Sequence, residues 1–353
     1  MQELKFLPKD KLYAWLEELS KDSRVFAPVH EQGSLVFRPF DPQTEIELEQ
    51  QPTLPPKHIV FPCSETLLDF RRQKDPENPQ QVSFQLQERL PQEQNIVFGA
   101  RPCGVQGFEV FDQVFSSDQA QDPYYQQRRQ NTCFITLACL SPENTCFCHW
   151  VGGSPFQTQG SDLLLVPGEA GFLAQAVTPK GQELMQSEFF APADQDQQKA
   201  LEQAREQALG QLSQAPDLQE VPQAALDVFQ DLEFWEQMAA KCISCGACTY
   251  LCPTCYCFNI TDEDQGLKGR RIRSWDYCLS FLFTLEASGH NPRPSKAHRL
   301  RNRVGHKFSY YPQLHQQSFA CCGCGRCIKH CPTCVDIRSI ILKLKERAHA
   351  LES

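Results

Sequence analysis

Two stretches of this sequence repeat one arrangement of thiols. CISCGACTYLCP spaces Cys242, Cys245, Cys248 and Cys252 as C-x2-C-x2-C-x3-C-P, and CCGCGRCIKHCP spaces Cys321, Cys324, Cys327 and Cys331 the same way. Such a run wraps three thiolates round one inorganic cluster and sends the fourth to another. One copy alone would be incomplete, and the second supplies what the first lacks. The crossed rule assigns Cys242, Cys245, Cys248 and Cys331 to one [4Fe-4S] cluster, and Cys321, Cys324, Cys327 and Cys252 to a second. Gly246, Gly323 and Gly325 suit loops that pass close to a cluster, and Pro253 and Pro332 end the runs because proline cannot continue the local hydrogen bonding. Paired zinc sites are the competing chemistry. They normally join two separated C-x2-C knuckles, whereas each run here holds four thiols.

Nineteen cysteines leave many outside those quartets. Cys103 in RPCG and Cys139, Cys146 and Cys148 in ACLSPENTCFC follow predicted strands, so they could converge on a third cluster. Their alternative is to pack unliganded, as small hydrophobes; Cys133, inside an apolar strand, is read that way. Cys255, Cys257 and Cys278 form a candidate additional site, a fourth cluster needing one further ligand, cysteine or not, or else packing residues. Cys322 and Cys334 are spare in the crossed scheme.

These residues need elements to hold them. The 353-residue chain is long enough for two cores, and its cysteines fall in two groups, Cys63 to Cys148 and Cys242 to Cys334. The interval between them is rich in Gln and Ala, with helix expected over 196–212. The sequence therefore predicts an α/β domain over 1–190, a linker over 191–225 and a mainly helical, ferredoxin-like two-cluster domain over 226–353. In the first, HIVF, NIVFGA, TCFITLACL and SDLLLV read as strands. SETLLDFRRQ, VQGFEVFDQVF and the stretch from Pro8 to Ser20 read as helices. In the last, 225–241, WDYCLSFLFTLEASGH and the C-terminal DIRSIILKLKERAHALES read as helices.

A net charge of -9 gives no general attraction to nucleic acid or anionic lipid. No apolar run approaches membrane-spanning length and no signal-peptide stretch opens the chain, so the expected location is the cytoplasm. Ten Lys or Arg between Lys268 and Lys307, against two acids, Asp276 and Glu286, suggest a basic strip that favours reduced clusters or docks an acidic partner; the alternative is a solvated face with local salt bridges. There is no G-x-G-x-x-G after a strand, no phosphate loop and no nucleophile–base pair.

VFGARPCGVQGFEVFDQVF, TCFCHWVGGSPF, CPTCYCFNI, RIRSWDYC, SGHNPRPSKAHRLRNRVGHKFSY and CCGCGRCIKHCP together resemble the iron–sulfur β subunit of cytoplasmic hydrogenase/sulfur reductases and the equivalent iron–sulfur subunit of anaerobic sulfite reductase. The likeness runs from about His58 to the C-terminus. It departs at Gly104, where an acidic residue is expected, and at Cys334, where a small one is usual. The resemblance implies an electron-transfer subunit with two [4Fe-4S] clusters, lying between a flavin subunit that handles NAD(P)H and a catalytic subunit. Two other functions stay open on residues alone: a reductase in its own right, binding substrate at the unassigned thiols, and a zinc-stabilised scaffold that only binds partners.

Overall fold

The computed structural model describes residues 4–78, 80–315 and 318–352. Its largest sheet has eight strands, in the spatial order Ala191–Pro192, Leu4–Pro8, Gly171–Ala176, Leu163–Pro167, Thr132–Leu137, Asn95–Ala100, Arg24–Glu31 and Ser34–Pro39. The four strands from Leu163–Pro167 to Arg24–Glu31 run parallel, and the outer pairings are antiparallel. Parallel strands must be covered on both faces, and every residue of Asn95–Ala100 is buried. One face packs on the helix Leu12–Leu19 through Trp15 and Leu16; the other packs on the helix Pro102–Phe115 through Phe108 and Phe111.

A second, four-stranded sheet joins strands from the two halves of the chain. Its order is Phe258–Asp264, Lys268–Trp275, Ser64–Lys74 and Val82–Glu88, all antiparallel. Arg273 locks the junction. Its Nε donates to Glu65 Oε1 at 2.8 Å and its Nη1 to Asp122, and Glu65 also takes Arg128. Arg273 and Glu65 are both buried, and removing one member of such a group costs about 3–5 kcal/mol.

The C-terminal half holds helices Val221–Asp227, Leu232–Ala239, Lys296–Gly305 and Ile337–Glu352 round Trp235, Val304, Phe308 and Ile341, together with the β-hairpin just described. The Gln/Ala-rich stretch forms the capped helix Gln195–Gly210, which is mostly exposed but sets Leu201, Ala204 and Ala208 against the large sheet. No helix among the described residues is long and apolar enough to cross a membrane.

Four sequence expectations differ from the fold. HIVF begins after Pro55 and Pro56 and makes a four-residue helix, Lys57–Val60, instead of a strand. SETLLDFRRQ is a strand, not a helix, because Lys268–Trp275 and Val82–Glu88 offer it a ladder on both sides, and tertiary pairing outweighs local propensity. WDYCLSFLFTLEASGH is not a helix either. Trp275 ends the ladder, and Asn291 then ties the following loop by donating to Phe281 O at 2.7 Å. The helix expected over 225–241 divides at Asp231, whose carboxylate accepts from Phe234 N and starts a new one.

Candidate metal centres

Each run is built the same way. Ser244 N donates to Cys242 Sγ at 3.4 Å, and at the equivalent place Gly323 N donates to Cys321 Sγ at 3.5 Å. Gly246 and Gly325 then turn with φ of 80° and 74° into four-residue helices that carry Cys248 and Cys327. These N–H groups aimed at sulfur favour thiolate. Gly323 and Gly325 also meet a packing demand. A Cβ would lie 2.4 Å from Phe147 O at the first and 2.6 Å from Thr145 at the second.

Tertiary folding brings the two runs together in crossed fashion. Cys242, Cys245, Cys248 and Cys331 line one cavity, and Cys252, Cys321, Cys324 and Cys327 line the next. Cys327 and Arg303 wall both, so the cavities are neighbours. Cys103, Cys139, Cys146 and Cys148 line a third, which shares Cys324 with the second. All nineteen thiols are free of disulfides. Among the described residues no three His, Cys, Asp or Glu side chains take the spacing of a single-ion site; the thiols surround open space.

Charge completes the setting. Arg303, Lys307 and Arg326 are 4%, 3% and 1% exposed, and they meet thiols and carbonyls. Arg303 reaches Cys255 Sγ at 3.4 Å and Cys248 O at 2.6 Å; Lys307 reaches Cys252 Sγ at 3.5 Å and Ala320 O at 2.7 Å. Burial works against the charge of Arg303 and Lys307, but the surrounding sulfurs outweigh it and hold both above their usual range. Arg326 Nε donates to Pro52 O at 2.8 Å while its Nη1 is buried with no hydrogen-bond partner among the described residues. Buried cations without carboxylates need another anion. Four-thiolate iron clusters are anionic, so this donor set fits them.

The free thiols themselves ionise with difficulty in most of these places. Burial pushes Cys321 to about 11, Cys146 to about 12 and Cys148 to about 11. Iron would hold them as thiolates, since a coordinating thiol is deprotonated outright. Cys324 goes the other way, to about 6, because Cys322 hydrogen-bonds to it.

Cys255, Cys257 and Cys278 gather at the base of the C-terminal hairpin, where Asp276 N donates to Cys257 O at 2.9 Å. Cys257 and Cys278 are hydrogen-bonded, which pushes Cys278 to about 5. Thr249 Oγ1 lies 3.9 Å from Cys278 Sγ, and Lys57 Nζ donates to Cys255 O at 3.1 Å.

The basic strip does not form one surface. Arg273 is spent on carboxylates, Arg270 and Arg271 pair with Glu263 and Asp262 across the hairpin, and Arg299 caps carbonyls. Arg303 and Lys307 turn inward to the thiols. Sequence reasoning treated those two as surface charge and passed over Lys57 and Arg326, whose signal is only a Lys or Arg among apolar or cysteine neighbours.

Comparison with known proteins agrees with this geometry. The 4Fe-4S dicluster domain matches residues 241–335. Over 339 residues the chain is 28% identical to sulfhydrogenase 2 subunit beta of Pyrococcus furiosus, covering 94% of this chain and 95% of that protein. No solved structure matches. The chain is therefore an iron–sulfur protein whose residues 241–335 form a ferredoxin-like 4Fe-4S dicluster domain with two [4Fe-4S] clusters, and it is homologous along nearly its whole length to a sulfhydrogenase beta subunit.

Proposed function

We propose that this chain is the electron-transfer subunit of a cytoplasmic multi-subunit oxidoreductase, relaying electrons between a subunit that binds flavin and NAD(P)H and a catalytic subunit of hydrogenase or sulfur-compound reductase type. Cys242, Cys245, Cys248 and Cys331 hold one cluster, and Cys252, Cys321, Cys324 and Cys327 hold the other. The observation that carries this reading is the pair of adjoining cavities, each lined by one crossed quartet and sharing Cys327 and Arg303. Each cluster, when bound, supplies one-electron redox chemistry.

The chain's own residues set the terms of that transfer. Lys307 and Arg303 favour the added negative charge of the reduced state, and the backbone N–H groups of Ser244 and Gly323 spread charge off the sulfurs. Exposed Cys245 leaves the first quartet open to a docked partner, while no thiol of the second quartet is exposed and Cys252 and Cys324 are buried. The relative's name is that of a subunit, which supports a chain that works in a complex.

Anaerobic purification of the tagged chain from its native cells, followed by identification of what accompanies it, tests the partners. The expected companions are a flavoprotein and a catalytic oxidoreductase subunit; a chain that leaves the column alone at native expression sinks the relay. About eight irons and as many acid-labile sulfides are expected from the two quartets. Zinc without sulfide sinks the ligand assignment.

A second reading has one observation in its favour, the polar setting of Cys255 and Cys278, with Thr249 Oγ1 3.9 Å from Cys278 Sγ and Arg303 Nη1 3.4 Å from Cys255 Sγ. In it, the chain is itself a reductase at these thiols. Isolated, fully loaded protein given an artificial electron donor would then turn over sulfite, polysulfide or disulfides, and no turnover removes this reading.

A further inference from the structure

The third thiol-lined cavity lies outside the domain matched at residues 241–335, apart from Gly323 and Cys324 in its wall. Its thiols come from the carboxyl ends of two adjacent parallel strands. Cys103 sits in the first turn of the helix after Asn95–Ala100, Cys139 follows Thr132–Leu137, and Cys146 and Cys148 lie in the loop beyond. The crevice past the carboxyl ends of parallel strands is where open α/β sheets bind ligands.

The loop is clamped by the ferredoxin-like domain. Phe147 N donates to Gly323 O at 2.7 Å, Arg338 Nη1 to Asn144 O at 2.8 Å and Lys329 Nζ to Glu143 Oε1 at 2.7 Å. Gly323 has no room for a side chain at this contact. Two buried guanidiniums flank the thiols. Arg101 spends its hydrogen bonds on the carbonyls of Leu48, Glu49, Gln50 and Ala138, and Arg326, with Nη1 unpartnered, lies among Cys103, Cys322 and Cys324. Neither cation has a carboxylate hydrogen-bond partner. Four thiols beside two buried guanidiniums that have no carboxylate hydrogen-bond partner among the described residues suit a polynuclear anion.

We propose that Cys103, Cys139, Cys146 and Cys148 bind a third [4Fe-4S] cluster. The proposal rests on the relay reading and extends it. Cys324, assigned to the second centre, also walls this cavity, and Cys327 joins the second to the first. The centres therefore follow one another from the surface at Cys245, through the ferredoxin-like domain, into the α/β body.

The test is iron, sulfide and zinc per full-length chain, loaded and handled anaerobically. The wild type is expected to hold about twelve irons and as many sulfides, and Cys139→Ala and Cys146→Ala about eight, with the visible absorbance down by about a third. Electron paramagnetic resonance of the reduced variants should lose one component and keep two. About eight irons in the wild type, stoichiometric zinc at this site, or variants that keep the full iron content overturn the third centre and leave the two-quartet relay standing. Iron-free wild-type protein overturns both. The wild-type count does not depend on how the variants fold.

Discussion

Ser244 and Gly323 occupy equivalent places in the two thiol runs, with φ of 56° and 59°. The backbone round them is nearly the same, down to the N–H that each sends to a sulfur two residues back. Their surroundings are not. Ile243, beside Ser244, is 63% exposed and Cys245 faces solvent. Gly323 is pressed under the Phe147–Cys148 loop, and the thiols beside it face Lys307 and Arg326. Two thiol quartets built on the same backbone turn thus differ in solvent contact and nearby charge, and both are levers on the reduction potential of a bound cluster. Local sequence builds the grip, and what packs on the grip tunes it.

The largest expected effect comes from emptying both sites. Chelating the iron leaves Arg303, Lys307 and Arg326 buried with only thiols that ionise with difficulty as counter-charge, which should cost about 3–5 kcal/mol per group left unpaired. Anaerobic calorimetry should show apo protein melting at least roughly 10 °C below holo; coincident melts would mean that the thiols already supply the charge balance. Next, the paired turns can be separated by substitution. Gly323→Ala adds a Cβ at positive φ against Phe147 O and should cost about 2–4 kcal/mol. Ser244→Gly relieves the same backbone in open surroundings and should stay within about 1 kcal/mol of wild type, on the stable side. Denaturant melts of the two holoproteins decide it, and equal losses would erase the distinction.

A smaller effect is expected from Lys307→Met. Losing the ammonium beside Cys252 should lower the potential of the second centre by on the order of 60 mV, about 1.4 kcal/mol for one electron, and leave the first centre in place. A redox titration followed by electron paramagnetic resonance reads both. Equal shifts at both centres would show that Lys307 acts through the whole domain. Smallest is a rate difference. Ferricyanide should bleach the Cys245 centre several-fold faster than the Cys321 centre, and simultaneous loss would contradict the difference in exposure.

Spacing marked the two runs whose eight thiols are found along the first two cavities, because C-x2-C loops are short enough for backbone sterics to hold their thiols close. The parallel strands Asn95–Ala100 and Thr132–Leu137 were also legible, since strands covered on both faces read as unbroken apolar runs. Ser64–Lys74 was not. Its Leu67 and Leu68 fit a helix as well as a strand, and the ladder that decides the matter comes from Lys268–Trp275, about 200 residues further along the chain. Lys57 and Arg326 escaped for a similar reason. A cation in a sequence looks like surface until its neighbours are known.

By itself, then, the amino-acid order marked two four-thiol runs and the shape of each loop, because those depend on contacts within a few residues and on chain reversal at glycine. Only the tertiary structure decided that Cys103, Cys139, Cys146 and Cys148 share one space, that Cys327 and Cys324 link three cavities in series, and that five buried cations, Lys57, Arg101, Arg303, Lys307 and Arg326, sit among the sulfurs. Those facts are sums over segments far apart in the chain, and burial, which converts a side-chain charge from solvated ornament into a constraint, exists only after the segments have met.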